Sequence, residues 1–178
     1  TSYLEDVEKY AKNDSQALHL AHIIRTSFAE AGNRIQFAGF GNSSYKSREM
    51  SESFRVLEKV FLLNLVYPNT SVTLPILPDL KKSPRLQLLD TGLMNYFVGI
   101  QKDIIGTDDL SQVYKGKMIE HLTGQELLAA QYHALAALNF WVKEKKESTA
   151  ELDFLISFDG QIIPVEVKSG KTGTLRSL

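Results

Sequence analysis

The residues best placed to do chemistry flank Asp159-Gly160, with Glu151 and Asp153 before it and Glu166 and Lys168 after it. An Asp-Gly pair between two apolar runs predicts a two-residue type I′ hairpin turn, whose central residues both need positive φ. That register sets Phe158 opposite Gln161, Asp153 opposite Glu166 and Glu151 opposite Lys168. Alternation puts these last four on one face, and Leu152, Phe154, Ile156, Ile163, Val165 and Val167 on the core face. Pro164 falls opposite Leu155 in a non-hydrogen-bonded pair, so the ladder does not need its missing N–H. Two carboxylates facing each other across a ladder repel. Three arrangements relieve the repulsion: a raised pKa on one acid, a salt bridge to Lys168, or a bound divalent cation. Mg2+ takes one or two carboxylates with waters and substrate phosphates, which suits this spacing, and Lys168 is placed to orient or activate a water. A salt-bridged, exposed sheet face accounts for the same four residues equally well.

The elements that must carry this hairpin follow from periodicity. Residues 116–138 are apolar almost all round, which predicts a buried helix and makes its carboxylates Glu120 and Glu126 conspicuous. Strands are expected over 138–143, 151–158 and 161–168, so a helix leads into three antiparallel strands, an α/β or α+β core. Upstream, helices are expected over 16–31, with Gly32 as its cap, and over about 46–62. Residues 62–67 and 72–77, with a turn at Pro68-Asn69, read as a hairpin. Two helices and a hairpin suggest a winged-helix-like module over residues 1–100. On its second helix Arg48, Arg55 and Lys59 are offset by Glu49, Glu52 and Glu58, which favours packing over DNA contact. A strand over 86–89 ends at Asp90, the expected N-cap of a short helix closing near Gly99. Residues 101–115 look like a polar loop, and the second domain takes residues 101–178.

Composition narrows the classes. With 178 residues, 43% hydrophobic and 23% charged, the chain is of ordinary globular type. The absence of cysteine excludes disulfides and thiolate zinc sites, and a cytoplasmic location is expected. No apolar run reaches the ~18 residues of a membrane span, and the opening from Thr1 has no signal-peptide pattern, which suggests a piece of a longer protein. Net charge is −1, with 8 Lys and Arg against 9 Asp and Glu up to residue 80 and 12 against 12 after it. Phosphate binding therefore needs a local basic patch or help from a missing part.

Other motifs carry less. Ser169-Gly170-Lys171-Thr172 resembles the end of a phosphate loop, but Val165 stands where that motif needs glycine. His19 and His22 are one helical turn apart without a third ligand, and His121 and His133 read as packing or surface residues. Phe140 and Trp141 read as core. Lys143, Lys145 and Lys146 alternate with Glu144 and Glu147, as in a solvated turn.

The run Glu151-Leu152-Asp153-Phe154-Leu155-Ile156, followed by Ile163-Pro164-Val165-Glu166-Val167-Lys168-Ser169-Gly170, resembles the D…(D/E)-x-K signature of PD-(D/E)XK nuclease-like domains. Gly116-Lys117-Met118-Ile119-Glu120 resembles the Gly-x-x-x-Glu that often adds a carboxylate. More widely, residues 3–7, 41–49, 57–59, 65–68, 89–93, 116–127, 140–141 and 151–170 resemble the C-terminal region of a family of prokaryotic AAA-type ATPases. In that family a winged-helix-like segment and a nuclease-like domain of unknown function follow the ATPase module. The resemblance covers nearly the whole chain. It implies a restriction-endonuclease-like helix–three-strand core and a site of Asp153, Glu166, Lys168 and Glu120, with Glu126 a subsidiary fifth member. Mg2+ or Mn2+ would be held by Asp153, Glu166 and Glu120, for hydrolysis of nucleic-acid phosphodiesters. The implied partner is the ATPase module of the same full-length protein, where ATP hydrolysis would reside. The family's nuclease-like fold continues with another helix and strand. The core expected here is thus truncated at its C-terminus, with a sheet edge open to a second copy. Rival expectations are a catalytically silent interaction or regulatory module of the ATPase, and a DNA-binding regulator acting through the winged-helix segment.

Overall fold

The computed structural model describes residues 5–6, 9–99, 101–105, 116–130, 137–145 and 148–168. The 169–172 motif, His133, Lys146, most of the 101–115 loop and residues 131–136 of the expected helix lie outside the described residues.

Helix α1 (Asp14–Glu30) starts where the Asn13 side chain accepts the Gln16 N–H at 2.9 Å, which satisfies one of the orphan donors of a helix start. It buries Leu20, Ile23 and Ile24. Gly32, at φ 76°, turns the chain onto the sheet. There the Gly32 N–H donates to Leu86 O and the Ile35 N–H to Pro84 O, each at 2.8 Å. After a 3-10 turn at Phe40–Asn42 comes α2 (Ser47–Lys59), whose Met50, Phe54 and Leu57 recur at helical spacing and are all buried. The rest runs β1 (Leu63–Asn69), β2 (Arg85–Leu88), α3 (Thr91–Val98), α4 (Gln101–Ile104), α5 (Lys117–Ala129), β3 (Asn139–Lys145), β4 (Ser148–Phe158) and β5 (Gln161–Val165). As expected, Asp90 caps α3 by accepting the Leu93 N–H at 2.9 Å, and Gly99, at φ 77°, closes it.

This is the mixed α/β architecture expected from the sequence. The described residues form a five-stranded sheet in the order β2-β1-β3-β4-β5. Strand β1 is shared along its length: residues 63–66 pair antiparallel with β2, and residues 67–69 pair parallel with β3. The sheet therefore runs unbroken across residue 100.

The partner of β1 differs from expectation. Residues 72–77 form no strand; β1 pairs with β2 instead. Asn69 supplies the reason. Its buried side chain accepts the Ser71 N–H at 2.7 Å and donates to Leu77 O at 3.0 Å, so the segment folds as a loop clasped at its base. The Asp79 N–H closes it onto Pro68 O at 2.8 Å. Val72, Leu74 and Leu77 of the expected strand are exposed.

Two apolar clusters lie on the sheet. One joins α1, α2, β1 and β2 through Leu20, Ile23, Phe54, Leu57, Leu63 and Leu86; the other gathers Val66, Leu138, Phe140, Val142 and Phe154. Helix α5 belongs to both, with Met118, Ile119 and Leu122 in the first and Leu127 and Leu128 against the second. Close approach at Gly124 makes this possible, since a Cβ there would stand 2.7 Å from Gln87 Oε1 and 3.0 Å from Phe154. Among the described residues no helix is long and apolar enough to cross a membrane.

Candidate functional site

The hairpin that carries the acids turns where the sequence requires. Asp159 (φ 47°) and Gly160 (φ 70°) both adopt the left-handed conformation of a type I′ turn. Phe158 pairs with Gln161, Leu155 with Pro164, and Phe154 with Val165. The ladder then stops, three residues sooner than expected, so Asp153 does not face Glu166, nor Glu151 Lys168, as paired strand residues. At that point Asp153 Oδ2 accepts the Val167 N–H at 2.7 Å, substituting a side-chain acceptor for the next backbone rung.

The predicted residues still converge. Lys168 donates to Glu166 Oε1, while Glu166 Oε2 is buried with no hydrogen-bond partner. Glu120, from the first turn of α5, is half-buried. Burial is the main cause that pushes its carboxyl above the usual range; the charges of Asp153 and Glu166 push the same way, and Arg85 and Lys117 oppose them. Asp153 is also raised, first by burial and further by Glu166, against the Val167 hydrogen bond, Arg85 and Lys168. Three carboxyls therefore sense one another in a partly desolvated place. Glu126 is elsewhere: six residues beyond Glu120 on α5, it is turned to solvent.

A β-bulge interrupts β4 at the acid: Asn139 pairs with Leu155 but Trp141 with Leu152, so Asp153 and Phe154 together stand opposite Phe140 and strict alternation fails there. Strand β2 also reaches the site, through Arg85, which the sequence reading passed over. Its guanidinium pairs with Glu151, donates to Asp153 O at 3.1 Å and lies 3.9 Å from Asp153 Oδ1. It sits 4.6 Å from the Phe140 ring centroid, as a cation–π contact. Arg85 and Glu120 line one small cleft with Gly32, Val66, Leu86, Gln87, His121 and Phe154, with about 10 Å³ of free space, room for roughly one water.

His121 fastens the helix behind the site. Its Nε2 accepts the Leu88 N–H at 2.7 Å, and Gln87 Nε2 donates to His121 O at 2.7 Å. Burial drives its pKa down to about 4, against the pull of Leu88 O at 3.0 Å from the same nitrogen, so the imidazole is neutral. This is the packing role expected of it. His19 and His22 flank Tyr45 in edge-on contacts, and His22 Nε2 bonds Phe40 O at 2.8 Å, a structural use of both rings.

Among the described residues no group of three or more His, Cys, Asp or Glu side chains is arranged to hold a metal ion. Mg2+ does not require such a group, since it binds through one or two carboxylates and keeps several waters. The partnerless Glu166 Oε2 is a hard oxygen donor, whereas Asp153 Oδ2 and Glu166 Oε1 are taken by the Val167 N–H and Lys168.

Comparison with curated proteins and with solved structures gives no match. Family models match in two places. Residues 115–178, which hold α5 and the hairpin, match a domain of unknown function (DUF4143), and residues 1–104, which hold Arg85, match another (DUF8612). The second match spans more than half of the sequence, and the chain belongs to the DUF8612 family, a domain of unknown function.

Proposed function

We propose that this chain is a C-terminal region of an AAA-type ATPase and that its hairpin site, on a PD-(D/E)XK nuclease-like core, hydrolyses nucleic-acid phosphodiesters with Mg2+ or Mn2+. The observation that supports the reading is the buried, partnerless Glu166 Oε2 beside Lys168, on the stretch that Asp153 anchors through the Val167 N–H. Asp153 and Glu166 would hold the cation, Glu120 would assist, and the cation would polarise the phosphoryl group and lower the pKa of a bound water. Lys168, tied to Glu166, would orient that water and offset charge growing on the phosphate. The Val167 N–H fixes the Asp153 carboxylate through Oδ2, and Oδ1, 3.9 Å from the Arg85 guanidinium, is the oxygen a cation would take.

The test is calorimetric titration with Mn2+, run beside cleavage of single- and double-stranded DNA by the full-length parent. Mn2+ should bind, and Asp153→Ala should abolish binding. Lys168→Ala should lower cleavage roughly 100-fold while leaving metal affinity near its original value.

One observation favours a second reading, a silent docking module of the ATPase. The acids already have internal counter-ions, Arg85 for Glu151 and Asp153 and Lys168 for Glu166. Complete absence of Mn2+ binding would select it. A winged-helix regulator has less support: Arg48 is engaged by Glu52 at 3.1 Å on an exposed helix face.

A further inference from the structure

The fold brings cations from distant parts of the sequence to the acids of the hairpin site. Arg85 from β2, Lys117 from α5 and Lys168 beyond β5 all act on the carboxyls of the hairpin site. Arg85 differs from the two lysines. A guanidinium presents a planar fork that matches the oxygens of a carboxylate or a phosphate, whereas an ammonium is a point charge. It lies 4.6 Å from the Phe140 ring centroid, and its two hydrogen bonds, to Glu151 and Asp153 O, use only part of its N–H set. It borders the same cleft as Glu120.

We infer that Arg85 is the residue that grips a backbone phosphate of the nucleic acid, and that Glu151 holds its fork ready while no substrate is bound. Glu151 is an internal carboxylate occupying the place of an external phosphate, two residues from Asp153 on the same strand. The exchange would cost little ordering, because the incoming anion meets a guanidinium already held in place with a side-chain exposure of 14%, and Glu151, with 26% of its side chain exposed, can turn to water. The site is then composite: its acids come from the segment that matches one family and its phosphate grip from the segment that matches the other.

This inference rests on the nuclease-like reading, and the experiment separates the two. Binding of a short fluorescein-labelled DNA duplex and its single strand is followed by anisotropy in Ca2+ at several salt concentrations. Mn2+ binding by the unsubstituted chain is measured alongside. Arg85→Ala should weaken DNA binding roughly tenfold and reduce the salt slope by about one. Arg85→Lys, which keeps the charge and the partner but not the fork, should still lose several-fold. Glu151→Gln, which frees the guanidinium, should bind DNA more tightly than the unsubstituted chain. A merely structural ion pair predicts loss of stability in Glu151→Gln with no gain in binding. If Mn2+ binds but none of the three substitutions moves DNA affinity, the assignment of Arg85 is overturned and the metal site stands. If the unsubstituted chain takes up no Mn2+, both readings fall together.

Discussion

Asp153 and Val167 meet at the point where the hairpin ladder stops. The carboxylate accepts the Val167 N–H at 2.7 Å, and the last backbone pair before it is Phe154 with Val165. One side chain thus ends a strand and is itself pinned, with Glu166 and Lys168 carried on the stretch it anchors.

Replacing Asp153 should separate these two roles. Asp153→Asn keeps an oxygen for the Val167 N–H and removes the charge, whereas Asp153→Ala removes both. Amide exchange at Val167 should accelerate in Asp153→Ala and stay slow in Asp153→Asn, with a stability loss of roughly 1–3 kcal/mol for the alanine variant. Mn2+ binding should vanish in both. Equal exchange in the two variants would show that the hydrogen bond does not hold this segment.

His121 should make the fold acid-sensitive. Unfolded, it takes up a proton near its ordinary 6.5; folded, only near about 4. Between those values the unfolded chain binds more protons, so the contribution is fully present above about 6.5, falls as pH drops and is spent below about 4. From pH 7 to 5 the loss comes to about 2 kcal/mol. Glu58, Glu120 and Asp153, raised chiefly by burial, act with the opposite sign, and their contribution to stability improves on acidification. Urea unfolding of the unsubstituted chain and His121→Gln across this range isolates the histidine: the variant should lose less stability on acidification.

Gly124 is where α5 comes down on the sheet. A Cβ there would meet Gln87 Oε1 at 2.7 Å, and Gln87 is buried and already engaged with His121 O. Gly124→Ala should cost about 1–3 kcal/mol by overpacking, despite the higher helix propensity of alanine. Unchanged unfolding midpoints would mean that α5 moves away freely.

The two acids of α5 should behave differently. Glu120→Gln should weaken Mn2+ binding, since its carboxyl senses both Asp153 and Glu166. Glu126→Gln, on the solvent side, should leave metal affinity unchanged and alter stability by less than about 0.5 kcal/mol. Calorimetric titration of both variants checks the pair.

What could be read from the sequence was mostly local. Asp159-Gly160 fixed the hairpin turn and, by counting outward, every rung that forms; Asp90 and Gly99 bounded α3 for equally local reasons. Side chains that bond backbone at short range defeated the same method. Asn69 turned residues 72–77 from a strand into a clasped loop, and Asp153 cut β5 short, because alternation of apolar residues carries no trace of such competition. Arg85 was missed for a different cause. It stands 66 residues from Glu151 in sequence, and nothing around Pro84-Arg85-Leu86 hints at a carboxylate partner. A clue existed only globally: near-neutral charge with a crowded set of acids calls for a cation from elsewhere.

Strand β1 gives half of its hydrogen-bonding length to β2 and the remainder to β3. The segments matching the two families are consequently stitched by the rungs of one strand rather than abutted as finished bodies. Severed from residues 1–104, the remainder would present β3 with a raw margin of unpaired amides, ready to recruit whatever strand is nearest. Any other setting in which residues 115–178 could stand would have to supply a replacement strand to heal that margin.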